Sequence, residues 1–64
     1  MQDPETGDKV RYVDENGTIL DANVQCAFRD GPINLRIIDT DYDIKRVTHD
    51  PEKGPNTWHW GNEE

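Results

Sequence analysis

The stretch Leu20–Phe28, LDANVQCAF, decides the fold class of this chain. Apolar side chains recur at every second position, at Leu20, Ala22, Val24, Cys26 and Phe28. A period of two is typical of a strand with one buried face, whereas a helix needs apolar residues three and four positions apart. A strand longer than about eight residues has to bend to stay on a small core. We therefore predict a long, curved strand that buries Cys26 with its apolar face.

Turn signals on both sides of this strand predict its two neighbours. Asn16-Gly17 is a strong hairpin signal. The alternating segment Lys9–Val13 before it predicts a first strand. Residues 30–32, Asp-Gly-Pro, predict a second turn. The alternation of Ile33, Leu35 and Ile37 after that turn predicts a third strand.

The last third of the chain predicts two more strands and a connector. Ile44 and Val47 are three positions apart instead of two, so we expect a bulge near Lys45-Arg46. Residues 50–56 contain two prolines and a glycine and predict an irregular connector. The β-branched and aromatic residues of Thr57–Trp60 predict a short final strand.

Five short strands, tight turns and no helical pattern predict an all-β protein. A small sheet of this kind avoids exposed edges by closing into a barrel. We predict a single domain, a five-stranded SH3-like barrel over residues 7–61. A flexible arm at residues 1–6 precedes it, and an acidic tail at residues 62–64 follows it.

Charge and composition exclude several classes of partner. Fourteen acidic residues against seven basic ones give a net charge of −7, which repels phosphate backbones, so no nucleic-acid partner is expected. The chain has no long apolar run, so no membrane partner is expected either. The single cysteine excludes an internal disulfide and favours the interior of a cell.

The aromatic residues are the candidates for a binding surface. In an extended segment Trp58 and Trp60 point to the same face. A barrel this small needs large side chains in its core, so we expect at least one tryptophan to be buried. The other would form a surface for a protein partner together with Tyr12 or Tyr42. The predicted partner-binding residues are therefore Tyr12, Tyr42, Trp58 and Trp60.

No catalytic, metal-binding or cofactor-binding site is predicted. The carboxylates of Asp39–Asp50 are spaced like those of a calcium loop, but Ile44 stands where the sharp turn of that loop needs glycine. We expect a turn with exposed aspartates instead. Cys26, His49 and His59 lack the local spacing of zinc ligands. No nucleophile has an evident base nearby, so we do not expect an enzyme.

Two stretches of the sequence resemble known proteins, and this resemblance implies where the chain originates. The run GDKVRYVDENGTILDANV, residues 7–24, resembles the opening of SH3-like modules of the Tudor and KOW kind. Residues 7–61, which include INLRIIDTD and HDPEKGPNTWHWG, are similar to small uncharacterised proteins encoded by tailed bacteriophages and prophages. The resemblance implies an SH3-like fold and a phage origin. Tudor modules use several aromatic residues as a cage for methylated side chains, whereas the strands of this chain supply only Tyr12, Phe28 and Tyr42.

Two functions follow as expectations from the resemblance. The first is a non-enzymatic protein–protein interaction module of the virion, a head decoration or stabilising protein that docks on a capsid or other virion protein or forms a homo-oligomer. The alternative is an acidic, early-expressed inhibitor of a host nucleic-acid-binding enzyme, of the anti-restriction or anti-CRISPR type. The protein would then act in the virion or in the host cytoplasm. The acidic residues lie mainly in the arm, turns and tail, which favours the first.

Overall fold

The predicted strands all form. The computed structural model describes residues 3–64. In chain order its elements are β1 (Lys9–Val13), β2 (Ile19–Ala27), β3 (Ile33–Ile37), β4 (Tyr42–His49), β5 (Thr57–His59) and a C-terminal 3₁₀ turn (Gly61–Glu63). No helix of the described part is long and apolar enough to cross a membrane.

The five strands close into a barrel in the order β1-β2-β3-β4-β5. The first four pair antiparallel with their sequence neighbours. The short strand β5 closes the barrel because it pairs antiparallel with β1, where Tyr12 lies opposite Trp58, and parallel with β4, where His49 lies opposite Trp58. This arrangement confirms the predicted small all-β barrel of the SH3-like kind.

The barrel encloses one apolar core, to which every strand contributes. Its buried members are Val10, Tyr12, Ala22, Val24, Ile33, Leu35, Ile37, Val47 and Trp58. Trp58 is the largest of the fully enclosed side chains, with 2% of its surface exposed. A tryptophan buries ~150–250 Å², a large share of what a barrel this size can enclose. The prediction that at least one tryptophan fills the core is confirmed.

The predicted alternation of β2 ends at Val24, because the strand contains a bulge. Val24 lies opposite Leu35, but the next partner on β3, Asn34, lies opposite Cys26, so Gln25 is an extra residue. A bulge of this kind shifts all following side chains by one position, which exchanges the two faces of the strand. Cys26 is therefore exposed, and its predicted burial is wrong.

The predicted bulge in β4 is confirmed at Lys45-Arg46. Ile33 pairs with Val47 and Leu35 pairs with Ile44. Between these two pairs β4 therefore advances by three residues, whereas β3 advances by two. The extra residue restores the inward orientation of both Val47, which is buried, and Ile44, which packs against the core. The bulge thus reconciles an irregular sequence spacing with a continuous apolar interior.

Arg46 adopts the left-handed backbone conformation that the bulge requires, with φ of 54°. Its backbone N–H donates to Oδ1 of Asn34 at 2.9 Å. Its guanidinium donates to Asp30 at 2.9 Å and lies 5.1 Å from the ring centre of Phe28, a cation–π distance. Phe28 is thus half-buried beneath Arg46 instead of belonging to the core. These contacts offset the strain of a bulky residue at positive φ.

The N-terminal segment reaches the barrel before Gly7. Residues 1 and 2 of the predicted arm lie outside the described residues. The backbone N–H of Glu5 donates to Oδ2 of Asp8 at 2.9 Å. The hydroxyl of Thr6 donates to the carbonyl of Gln25 at 3.2 Å. The backbone N–H of Gly7 donates to the carbonyl of Val24 at 2.8 Å. Residues 5–7 therefore follow the second half of β2.

We predict that the thiol of Cys26 in the folded protein reacts with Ellman's reagent at nearly the rate of the urea-unfolded chain, because the bulge places it outside the barrel. The matched control carries Val24→Cys with Cys26→Ser, which moves the thiol to the inner face, and should react far more slowly when folded. Strong protection of native Cys26 would contradict the bulge.

Candidate functional site

An open groove of about 340 Å³ lies where the β1–β2 and β3–β4 hairpins approach each other. Its apolar wall is formed by Tyr12, Leu20, Ile37, Tyr42 and Ile44. Tyr12 pairs with Leu20 across β1–β2, and Ile37 pairs with Tyr42 across β3–β4. The β2–β3 ladder, in which Ala22 lies opposite Ile37, places these two pairs side by side, so the groove is a product of the tertiary structure.

The two tyrosines of the groove differ in exposure and therefore in role. Tyr12 is 6% exposed, and its hydroxyl donates to Oδ1 of Asn56 at 3.1 Å. Burial raises the pKa of the Tyr12 phenol, and the negative charges of Asp14 and Glu15 raise it further. Tyr12 is thus a fixed, neutral part of the wall. Tyr42 is 65% exposed and offers its ring to a ligand.

Acidic residues from both hairpin turns border the groove. Asp14 and Glu15 come from the β1–β2 turn, and Asp39 comes from the β3–β4 turn. Asp14 also orders its own turn, because its Oδ1 accepts the backbone N–H groups of Asn16 and Thr18, both at 2.9 Å. Among the described residues, Glu15 and Asp39 form no ion pair, so their charges face the groove and solvent without a basic partner. We call these three carboxylates the acidic rim.

The β3–β4 turn and the start of β4 carry the exposed aspartates that the sequence predicts. Asp39, Asp41 and Asp43 are all exposed. Asp43 is paired with Arg36, with 2.7 Å between Nε and Oδ1, and this hydrogen bond lowers the pKa of the Asp43 carboxyl. Asp39 has no such ion pair among the described residues and belongs to the acidic rim. Residues 3–64 contain no group of three histidine, cysteine or acidic side chains arranged to hold a metal ion.

The four predicted partner-binding aromatics fall into two separate pairs. Tyr12 and Tyr42 share the groove. Trp58 is in the core with 2% of its surface exposed, so almost none of its ring is open to a partner. Trp60 is half-buried and packs edge-to-face on Trp58, with 5.2 Å between ring centres. The sequence missed Leu20, Ile37, Ile44 and the acidic rim, because their proximity depends on how the four strands β1 to β4 pair.

The C-terminal 3₁₀ turn brings two carboxylates onto the two histidines. Oε1 of Glu63 lies 2.8 Å from Nε2 of His49 and accepts the backbone N–H of Trp60 at 2.7 Å. Oε2 of Glu64 lies 2.9 Å from Nε2 of His59, which is fully buried. Both histidine rings are thus held by acidic partners. The predicted acidic tail is thereby attached to His49 of β4 and His59 of β5.

The hydrogen bond from His49 lowers the pKa of the Glu63 carboxyl, and the backbone N–H of Trp60 lowers it further. A carboxylate with a lowered pKa stabilises the fold above its unfolded-state pKa and loses that contribution as the pH falls through its folded-state pKa. Glu63 therefore stabilises the fold through the C-terminal turn at neutral pH, and this contribution is lost in the acid range.

No protein-family model matches the chain, and neither a curated protein nor a solved structure matches it. The groove and its rim are therefore the features of the molecule from which a function can be inferred. An apolar wall with an exposed aromatic ring and unpaired carboxylates beside it can hold a side chain that is apolar along its length and cationic at its end.

We predict that Glu63→Gln lowers the free energy of unfolding at neutral pH, because glutamine accepts the hydrogen bonds of His49 and Trp60 without a charge. The difference from the parent protein should shrink below about pH 4, where a glutamate becomes protonated. Urea unfolding across a pH series measures the free energy of unfolding of both proteins and shows how their difference changes with pH. Glu52→Gln, on the exposed connector, is the matched control and should change little at any pH. A constant difference between Glu63→Gln and the parent at all pH values would refute the assignment.

Proposed function

We propose that this chain is a non-catalytic protein-interaction module, and that its groove binds a basic, partly apolar segment of a partner protein. The observation that carries the proposal is the meeting of the exposed Tyr42 ring with three carboxylates from two different turns. Single apolar residues on a surface are ordinary, but an apolar concave surface beside convergent polar groups is the usual form of a binding site.

The two parts of the groove contribute differently to binding. The apolar wall supplies affinity, since burial of apolar surface is worth ~25 cal/mol per Å² before the costs of association are subtracted. Tyrosine is among the residues that dominate binding energy at interfaces. The acidic rim supplies selectivity and, with the net charge of −7, attracts a positively charged segment and speeds its encounter. Binding of this kind weakens as salt concentration rises.

The resemblance to phage-encoded proteins supports a role in the virion, where the module would decorate or stabilise the head by docking on a capsid protein or another virion protein. A small closed barrel suits this role, because it presents a rigid surface at low entropic cost. The partner would contribute a basic segment from an exposed loop or terminus.

A second function is favoured by the acidic rim itself. Carboxylates gathered at one place can occupy the basic surface of a host nucleic-acid-binding enzyme and inhibit it. The apolar wall distinguishes this mode from simple imitation of phosphate groups, because it requires an apolar contact next to the basic one. Both functions use the same groove and differ in the identity of the partner.

We predict that the immobilised protein selects, from a random peptide display library, sequences with lysine or arginine next to a bulky apolar residue. Tyr42→Ala should abolish the enrichment, because Tyr42 is the most exposed ring of the groove. Ile19→Ala removes an apolar side chain that is 40% exposed and is not part of the groove, so this control should keep the enrichment. Selection that survives Tyr42→Ala, or no selection at all, would reject the groove as the binding site.

We expect mass spectrometry of purified phage particles to detect the protein in many copies per particle. Its absence from mature particles, together with its presence in the infected-cell lysate, would exclude the virion role and leave the inhibitor function. A protein of the same lysate that is known to be non-structural serves as the control for carry-over.

A further inference from the structure

The first half of β4 has an edge with no backbone partner. One side of β4 pairs with β3 from Tyr42 onwards. The other side pairs with β5 only at Thr48 and His49. Among residues 3–64, no loop backbone group bonds to β4 between Tyr42 and Arg46 either. The barrel is thus closed at one end of β4 and open along the other.

Two residues in the left-handed region bound this open edge. Asp41 has φ of 53° directly before β4, and Arg46 has φ of 54° at the bulge. A left-handed residue interrupts the extended conformation that pairing requires. The free edge therefore spans Tyr42–Lys45, which matches a short strand partner and is too short for extensive aggregation.

The free edge lies next to the groove. Tyr42 and Ile44 both line the groove, because alternate side chains of a strand point to the same face. A strand added along this edge would follow the same rule, and every second side chain of the added strand would point towards the apolar wall. Asp39, three positions before the edge begins at Tyr42, places the acidic rim within reach of a long side chain on that strand.

We propose that the partner segment binds in an extended conformation, adds a strand to the free edge over Tyr42–Lys45, and directs alternate apolar and basic side chains into the groove. This inference depends on the proposed groove-binding function and specifies its mode. Backbone hydrogen bonds supply affinity in such strand addition, while the groove reads every second side chain. A second copy of this chain fits the edge less well, because each copy carries a net charge of −7 and two acidic rims would face each other.

The test uses the tightest-binding basic peptide from the selection, synthesised with its backbone amides N-methylated at either the odd or the even positions of the contact region. A strand uses every second amide to bond to a given neighbour. One methylated series should therefore lose about tenfold or more in affinity, as expected for lost backbone hydrogen bonds, while the other binds nearly as the parent peptide does. Amide exchange followed by NMR should slow within Tyr42–Lys45 when the unmodified peptide binds.

Other outcomes of these experiments distinguish a failure of strand addition from a failure of groove binding. If both methylated series bind as the parent peptide does, or both weaken equally, strand addition is wrong, while groove binding stands as long as Tyr42→Ala still abolishes it. If no peptide binds, both fail. Sedimentation of the free protein should give a monomer. A dimer that the peptide dissociates would assign the edge to a second copy and overturn the inference.

Discussion

Burial of Trp58 is the interaction on which the rest of this structure depends. Its strand has three residues, too few to hold a position in a sheet through backbone pairing alone, yet it joins β1 and β4 and so closes the barrel. Packing of the indole supplies the stabilisation that so few backbone hydrogen bonds cannot provide. It packs against His49 at 4.7 Å and against Trp60 at 5.2 Å between ring centres, and it fills the core of a chain that has few other large side chains.

The antiparallel order of β1 to β4 has a functional consequence, because it places the β1–β2 and β3–β4 turns at the same end of the barrel. The acidic turns are ordinary solvated loops when each is considered alone. In the folded chain they border an apolar wall to which the four strands β1 to β4 contribute. The acidic C-terminal residues act differently, since Glu63 bonds to His49 of β4 and Glu64 bonds to His59 of β5. Acidic side chains thus have two roles in this protein. Those of the acidic rim border the groove, whereas those within reach of a histidine bond to it and attach the C-terminal turn to the barrel.

The comparison of the two bulges shows where prediction from the sequence succeeds and where it stops. The bulge of β4 changes the spacing of apolar residues, which is visible as the three-residue step from Ile44 to Val47. The bulge of β2 leaves the apolar alternation apparently unbroken through Cys26, because the extra residue, Gln25, is followed by a residue that tolerates either face. Cysteine is small and only weakly polar, so its placement outside costs little free energy and leaves no local signal.

The sequence by itself determined the strands, their turns and the all-β class, because period-two patterning and Asn-Gly or Gly-Pro turns act over a few neighbouring residues. It also determined that at least one tryptophan would be buried, since a core this small needs its volume. Only the tertiary structure decided which tryptophan that is, which tyrosines share a groove, which carboxylates border it and which edge of β4 is left open. Those features depend on contacts between residues far apart in the chain, and such contacts exist only once the strands have paired and the barrel has closed.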